Sequence, residues 1–600
     1  VTEMHIARFD KEVVRTLIAT ALGKEKADFV IKDVFLVNVY TGEILEGMDV
    51  AIKGERIAYV GSDASHTIGT NTKVIVGKNK VLVPGFLDAH IHIESSMLTP
   101  LYFSEAVLPH GTTGVFIDPH EVANVLGKKG VKYFLNEAKM APIRIFVEVP
   151  SCVPATPEDT TGGVLEAKEV AELLKNPLTI GLGEVMDFHG LLNLRDDVLE
   201  KVVSAHNVNK VVDGHAPALT GKHLVAYVSA GITSDHESVE AWEIVEKARL
   251  GMHVMLREGS AWRDLDKTIR AILDYGIDTH MLMFVADDRN PYDIIHEGHM
   301  DYIVRKAIEL GLDPVKAIQM VTINVARRFK VEDDLGGIAP GKLADFIILG
   351  NLEKVSVEKV FVGGKLLAEN GKSLWKPPEK YRIPKYLYNT MNVRRKILPE
   401  DFKIKAPISK GVVKARVIGI VPNKAITRHL IMDVKVANGE VVADTEKDVL
   451  KIAMVERYTG EGKVGLGLVH GFGFKYGALA SSVAHDSHNI LVVGVNENDM
   501  AYAVNRIVEI GGGIVFVAKG SVKALVELPV AGILSDKPGE VVAEELRKLV
   551  EETKKAGSKL SNPYMTLSIL GLIVIPEVRV FDKGLFDVVK NSVVNVFVEQ

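Results

Sequence analysis

Apolar and polar positions change rhythm three times along the chain. Residues ~8–25 carry apolar side chains at helical spacing and predict an amphipathic helix. The stretches "DFVIKDVFLVNVYTGEILEGMDVAIKGERIAYVG" and "TKVIVGKNKVLVPGF" alternate apolar and polar positions between Gly and Asn turns, predicting a small β unit. From Gly85 onward, short apolar runs alternate with helix-period segments such as "SVEAWEIVEKARLG". The runs are "VLVPGFLDAHIH", "TTGVFID", "IRIFVEVP", "LTIGLGEV", "NKVVDGH", "GITSDHE", "GMHVMLREG" and "HMLMFVADD". Strands that alternate with helices imply a parallel sheet, and eight repeats imply a (β/α)8, TIM-like barrel of the α/β class. The helical "YIVRKAIELG" and "PVKAIQMVTINVARRF" follow, and then β patterning returns in "GGIAPGKLADFIILG" and "VEKVFVGGKLL". "WKPPEKYRIPKY" is a proline-rich linker. The expected organisation is an N-terminal helix (1–26), a small β-sandwich domain from both flanks of the barrel (27–83 and 337–385), the barrel itself (84–336), and a C-terminal α/β domain (395–600).

Barrel enzymes keep their chemistry at the C-terminal ends of the strands, and here those ends are polar. The first gives His90 and His92, the second Asp118, His120 and Glu121, the fourth Glu184, and the fifth His215. The sixth gives Asp235, His236 and Glu237, the seventh Arg257 and Glu258, the eighth Asp287 and Asp288. Residues i and i+2 of a strand share a face, so His90 and His92 can hold one metal ion between them. A lone His-x-His is more often a solvated pair; four histidines and two carboxylates at successive strand ends make a metal centre the better reading.

Composition narrows the alternatives. The 72 basic and 78 acidic residues leave a net charge of −6, which argues against a nucleic-acid partner. One cysteine, Cys152, rules out an intrachain disulfide framework and a Cys-rich zinc site. No apolar stretch reaches the ~20 residues of a membrane helix, so no membrane partner and a cytoplasmic location are expected. Cys152 has no base identified beside it and reads as a packed or pocket-wall thiol. Glu94, Ser95 and Ser96 open the loop after the first strand; the serines read as turn and cap residues, and Glu94 stays open between turn and substrate contact. Gly511–Gly513 reads as a helix end turning into a strand.

"PGFLDAHIH", the carboxylate on strand four, the histidines on strands five and six, and the aspartate on strand eight resemble the amidohydrolase superfamily of metal-dependent hydrolases. "DAHIHIESSMLTP", "DPHEVANVLG", "GLGEVMDF", "DGHAPALTG", "GITSDHES", "REGSAWRDL", "DDRNP", "GLVHGFGF" and "SSVAHDSHNI" resemble its adenine deaminase family, over most of the chain. The resemblance implies hydrolysis of adenine to hypoxanthine and ammonia by a metal-bound hydroxide in a binuclear site. His90 and His92 would hold one ion with Asp287, and His215 and His236 the other. Glu184 would bridge them where many superfamily members use a carboxylated lysine. Manganese or iron is the expected metal, and zinc can occupy such a site. Asp287, Glu184 and His236 are the implied catalytic residues, Asp287 as general base and then acid; His236 either binds metal or positions the reacting carbon. His120, Glu121, Arg257, Glu258, His485, Asp486 and His488 are the candidates for substrate binding; the last three either complete the pocket as the C-terminal domain folds over the barrel mouth or form a purely structural polar turn. For Glu121 a helix-dipole role, and for Arg257 a structural ion pair, are equal alternatives. A homo-oligomer, a dimer, is expected. The rival reading is another amidohydrolase acting on a cyclic amide or a different aminated heterocycle.

Overall fold

The computed structural model describes residues 9–422 and 424–598. The N-terminal helix spans Lys11–Ala21, started by the Asp10 carboxylate, which accepts from the Val13 N–H. Residues 1–8 of the expected helical segment, and Asn423, Glu599 and Gln600 of the C-terminal one, lie outside the described residues.

Eight parallel strands alternate with helices from residue 86 to 285. They are Phe86–Ile91, Thr112–Ile117, Arg144–Val149, Thr179–Val185, Val211–Gly214, Ser234–Asp235, His253–Arg257 and Leu282–Val285. The first five pair in one curled sheet and the last three in another. Two features bring the sheets together. At the eighth-to-first junction, the Asp287 N–H donates to His90 O (3.0 Å) and the His92 N–H donates to Asp287 O (2.9 Å). At the fifth-to-sixth junction, the Gly214 N–H donates to Ser234 Oγ (3.1 Å). A Cβ on Gly214 would stand 2.1 Å from the Ser234 carbonyl oxygen, so only glycine permits this approach. The result is a TIM-like barrel domain. Its floor is a stack of rings: Phe116 lies 4.7 Å from Phe146 and 3.8 Å from Phe329, centroid to centroid. Phe329, just past the helix Ile323–Arg328, plugs the bottom.

The flanking segments knit into one nine-stranded sheet. Val81–Pro84 pairs in parallel with Phe29–Asn38 and antiparallel with Phe346–Leu349. The proline-rich stretch is tied down, since the Tyr381 hydroxyl donates to Glu137 Oε1 (2.9 Å), which also accepts from Tyr133 (2.6 Å). Beyond it lies a second nine-stranded sheet. Its ladders are antiparallel except where Gly411–Ile420 meets Val464–His470. This corrects the α/β expectation for 395–600: most of its strands are joined without helical crossovers, and the helices Glu497–Ile510 and Gly539–Lys555 pack against an antiparallel sheet, the α+β pattern. Gly511 ends the first of these helices in the left-handed conformation, φ 81°, and a strand starts at Gly513. This segment sits on the barrel mouth: the Ser535 N–H donates to Met97 O (2.7 Å), and Asn489 Nδ2 donates to Thr160 O (2.9 Å). Among the described residues no helix is long and apolar enough to cross a membrane.

Truncating Phe116 to alanine removes the centre of the ring stack. Urea unfolding should show a loss of about 3–5 kcal/mol; a loss under about 1 kcal/mol would mean that the floor does not depend on the stack.

Candidate active site

Glu184 stands at the end of the fourth strand with 2% of its surface exposed. Its two oxygens face different groups. Oε1 lies 3.2 Å from His92 Nε2 and 3.3 Å from His120 Nδ1. Oε2 lies 2.8 Å from His215 Nδ1 and 3.0 Å from His236 Nε2. Asp287 Oδ1 approaches from the opposite side, 3.4 Å from His92 Nε2 and 3.6 Å from His90 Nε2. Asp287 adopts φ 61°, which an aspartate tolerates better than most side chains. Its backbone N–H and C=O clamp the first strand while its carboxylate reaches the histidines.

Hydrogen bonding fixes which ring nitrogens can bind a cation. His92 Nδ1 faces the Asp118 carbonyl at 2.9 Å, so it carries the proton and Nε2 presents a lone pair. That lone pair meets His90 Nε2 at 3.2 Å and two carboxylate oxygens. Several acceptors converging on one point repel one another unless a cation lies between them. Ligand atoms about 2.1 Å from an ion stand roughly 3.0–3.4 Å apart, close to the separations here. The donor set therefore fits divalent cations, and Glu184, with one oxygen toward each pair of histidines, has the geometry of a bridge. Glu121, His485 and His488 also bring three ligand-type atoms together, but His488 differs. The Ala484 N–H donates to His488 Nδ1 (3.2 Å), so the proton of the neutral ring sits on Nε2 and no lone pair is free for a metal. His488 Nε2 instead points at Glu121 Oε2, 3.8 Å away.

The electrostatics agree. Burial opposes charge throughout, yet Asp287 and Glu184 raise His92 well above the usual imidazole range, and Glu184, Glu237 and Asp287 do the same for His236. Glu184 is held well below the carboxylate range by His236 and His215, against its burial. Burial also opposes charge on His120, but Asp118 and Asp486 hold it up to about 10. Burial, with Glu121 beside it, pushes Glu94 up to about 8. The carboxylates thus pull protons onto the His92 and His236 lone pairs that a divalent cation would use, whereas burial and the neighbouring His236 hold His90 down at about 3, leaving its ring neutral.

Above this cluster lies a cavity of about 130 Å³, walled by the barrel ends and by residues of the C-terminal third. A larger cavity of about 550 Å³ surrounds Cys152. It holds none of these clusters; Cys152 is buried, its thiol is pushed up by burial, and Ser151 donates to its sulfur (3.2 Å).

Comparison with known proteins adds an independent line. The amidohydrolase family pattern matches residues 81–367, and the adenine deaminase C-terminal domain pattern matches residues 424–592. Adenine deaminase of Clostridium botulinum (strain Langeland) is 44% identical over 98% of both chains. Adenine deaminase of Mesorhizobium japonicum is 45% identical over 98% of this chain and 97% of its own. Adenine deaminase of Staphylothermus marinus is 44% identical over 98% of each. The chain belongs to the adenine deaminase family. Among solved structures, a beta-aspartyl dipeptidase of Fervidobacterium islandicum AW-1 aligns with a TM-score of 0.44 and 16% identity, covering 58% of this chain and 98% of that one.

In this member of the adenine deaminase family, the fold brings His90, His92, Glu184, His215, His236 and Asp287 into one cluster. His120, Glu121, Arg257, His485 and Asp486 reach the cavity beside it. Two expected substrate residues do not. Glu258 turns away from the cavity, accepting from Lys306 Nζ (2.8 Å) and the Leu265 N–H (3.2 Å); it stands just past the seventh strand, where an isolated bridge to Arg263 keeps the chain extended and neighbours facing opposite ways. His488 stands behind Glu121, outside the cavity wall. Glu237 and Asp118 were absent from the expected site. Glu237 Oε1 lies 3.4 Å from His236 Nε2 and ion-pairs with Arg257. Asp118 holds His92 through its carbonyl and accepts the Glu184 N–H on Oδ2 (3.0 Å). Both were visible as polar strand ends. Tyr564 and Trp262 also line the cavity; Trp262 lies within the "REGSAWRDL" segment but was not singled out, and Tyr564 lies in no quoted segment.

Two outcomes follow. Because cations displace protons from His92 and His236, metal affinity rises with pH, by up to about tenfold per unit for each proton released. Chelator competition between pH 6 and 8 measures this, and a flat response would contradict it. Metal analysis should find His488→Ala unchanged in metal content and His92→Ala depleted; loss in His488→Ala would overturn the tautomer argument.

Proposed function

We propose that the chain is a hydrolytic adenine deaminase, converting adenine and water to hypoxanthine and ammonia. The observation that carries the reading is the Glu184 carboxylate, divided between two groups of histidines beneath a cavity of base size, in a chain of this family. Two divalent ions, manganese or iron and with zinc able to substitute, belong to this site: His90, His92 and Asp287 would hold one, His215 and His236 the other, with Glu184 between. When bound, they supply the Lewis acidity that lowers the pKa of water from 15.7 toward ~7.

The chain's own groups do the rest. Asp287 is the general base. Its Oδ2 accepts from Arg257 Nη1 (3.1 Å), which fixes the carboxylate while Oδ1 faces the cluster. As the water oxygen bonds to C6, one water proton passes to Asp287. Asp287 returns it to the exocyclic nitrogen, the C6–N bond breaks, and ammonia departs; the second water proton ends on N1 of hypoxanthine. His236 sits where it can hold metal and steady the reacting carbon. His120 and Asp486, whose Nε2 and Oδ1 lie 3.8 Å apart, face the ring edge. Arg257 is chiefly a positioning group, since Glu237, Asp264 and Asp287 occupy its guanidinium. On this reading 27–83 and 337–385 form a β-sandwich domain, 395–600 is a separate domain closing the barrel mouth, and the enzyme is a cytoplasmic dimer.

Ultraviolet absorbance of adenine mixed with manganese-loaded protein tests the reading. Turnover should vanish with chelator, and in Glu184→Gln it should fall by more than the about 10–100-fold that an outer metal partner costs. Metal-loaded, folded protein that leaves adenine untouched would sink the substrate assignment and move the search to cyclic amides and other aminated heterocycles.

A further inference from the structure

Much of the cavity wall that is not barrel comes from the C-terminal third. The short helix Pro563–Ile569 and the chain after it supply Tyr564, Met565, Ile569, Leu572 and Ile575. Tyr564 is 2% exposed, and its hydroxyl makes no hydrogen bond. A second cavity, a cleft of about 720 Å³, lies between the barrel loops near Arg263 and Tyr292 and the helix Gly539–Lys555. Among the described residues, only Tyr564 and Ala261 line both spaces. Ala261 is anchored by its N–H to Asp288 Oδ2 (3.1 Å) and has almost no side chain. The Tyr564 ring is therefore the partition between the inner cavity and the cleft.

Size and orientation give the partition a consequence. The inner cavity, about 130 Å³, is of the order of the ~150 Å³ cavity that accommodates a benzene ring. That volume suits one flat heterocycle and is small for a base that carries a sugar. Deamination puts C6 of the purine at the metal cluster, and N9 lies at the other end of the bicycle. A substituent on N9 would drive into the wall that Tyr564 helps to build.

We propose that the Tyr564 ring is the specificity determinant that restricts this enzyme to free purine bases and excludes N9-substituted ones, nucleosides included. The inference rests on the deaminase reading. It assigns the effect to the ring rather than the hydroxyl, which has no partner. Removing the ring joins the inner cavity to the cleft and gives an N9 substituent somewhere to go.

The test compares adenine, 9-methyladenine and adenosine as substrates of wild type, Tyr564→Ala, Tyr564→Val and Tyr564→Phe, all manganese-loaded. Binding of 9-methyladenine is followed by calorimetry alongside. Wild type and Tyr564→Phe should prefer adenine over 9-methyladenine by at least about 200-fold in kcat/KM, the upper end of what one misplaced methyl group costs. In the Ala and Val variants the preference should shrink by at least about tenfold, and 9-methyladenine should bind. Wild type that deaminates 9-methyladenine freely overturns the proposal. So does either small variant, folded and metal-loaded, that neither binds nor turns over 9-methyladenine, or a Phe variant that gains as much as the Ala variant. Failure of wild type on adenine itself would instead remove the deaminase reading.

Discussion

One buried carboxylate organises the active end of this molecule. Glu184 lies out of water among four imidazoles, and a lone ion in that position would cost several kcal/mol. The position is stable only if positive charge sits on both sides of the carboxylate, as protons or as metal ions. The surrounding architecture meets that condition. Strand four delivers the carboxylate; strands one, five and six deliver His90, His92, His215 and His236; the Asp287 turn closes strand eight onto strand one and adds a second acid. Around them Asp118 holds both the His92 ring and the Glu184 backbone, and Arg257 holds both Asp287 and Glu237. The barrel supplies rigidity, and the cluster supplies the reason its strand ends are polar.

Much of this was legible in the sequence, and the exceptions have physical causes. A strand end is a local signal: a short apolar run, then a polar side chain. Eight apolar runs in order located the barrel, and the polar ends of seven of them held every member of the histidine–carboxylate cluster. Side-chain direction is less local. Glu258 follows Arg257 just past the strand end, where a bridge to Arg263 keeps the chain extended, so the alternation that aims one inward turns the other outward. Glu237 follows His236 yet faces the same site, because the sixth strand is only two residues long and the alternation ends before it. His488 shows a third limit: residue type suggested a ligand, whereas its availability depends on which ring nitrogen a distant backbone N–H has already taken. In the C-terminal third, apolar runs and helical segments suggested α/β, but whether neighbouring strands run parallel depends on where the chain returns, and composition does not record that.

The same distinction separates the reaction from its selectivity. The histidine–carboxylate cluster lies on the barrel, close in sequence to recognisable motifs. The far wall of the cavity comes from a helix hundreds of residues downstream, where packing rather than motif sets the shape. The C-terminal third therefore helps to wall the cavity, even though the histidine–carboxylate cluster is built from the barrel.

The sheet beside the barrel has a consequence for how the protein is made. The strand Val81–Pro84 pairs on one side with Phe29–Asn38, but its other edge is covered by Phe346–Leu349, synthesised roughly 260 residues later. At ~5–20 residues per second, that edge waits roughly 13 to 50 seconds for its partner. During that interval the whole barrel emerges between two halves of an unfinished sheet, and an open strand edge is a template for pairing with another chain. Nascent copies on neighbouring ribosomes are the nearest such chains, so the interval before residue 349 emerges is when this edge is open to pairing with the wrong chain.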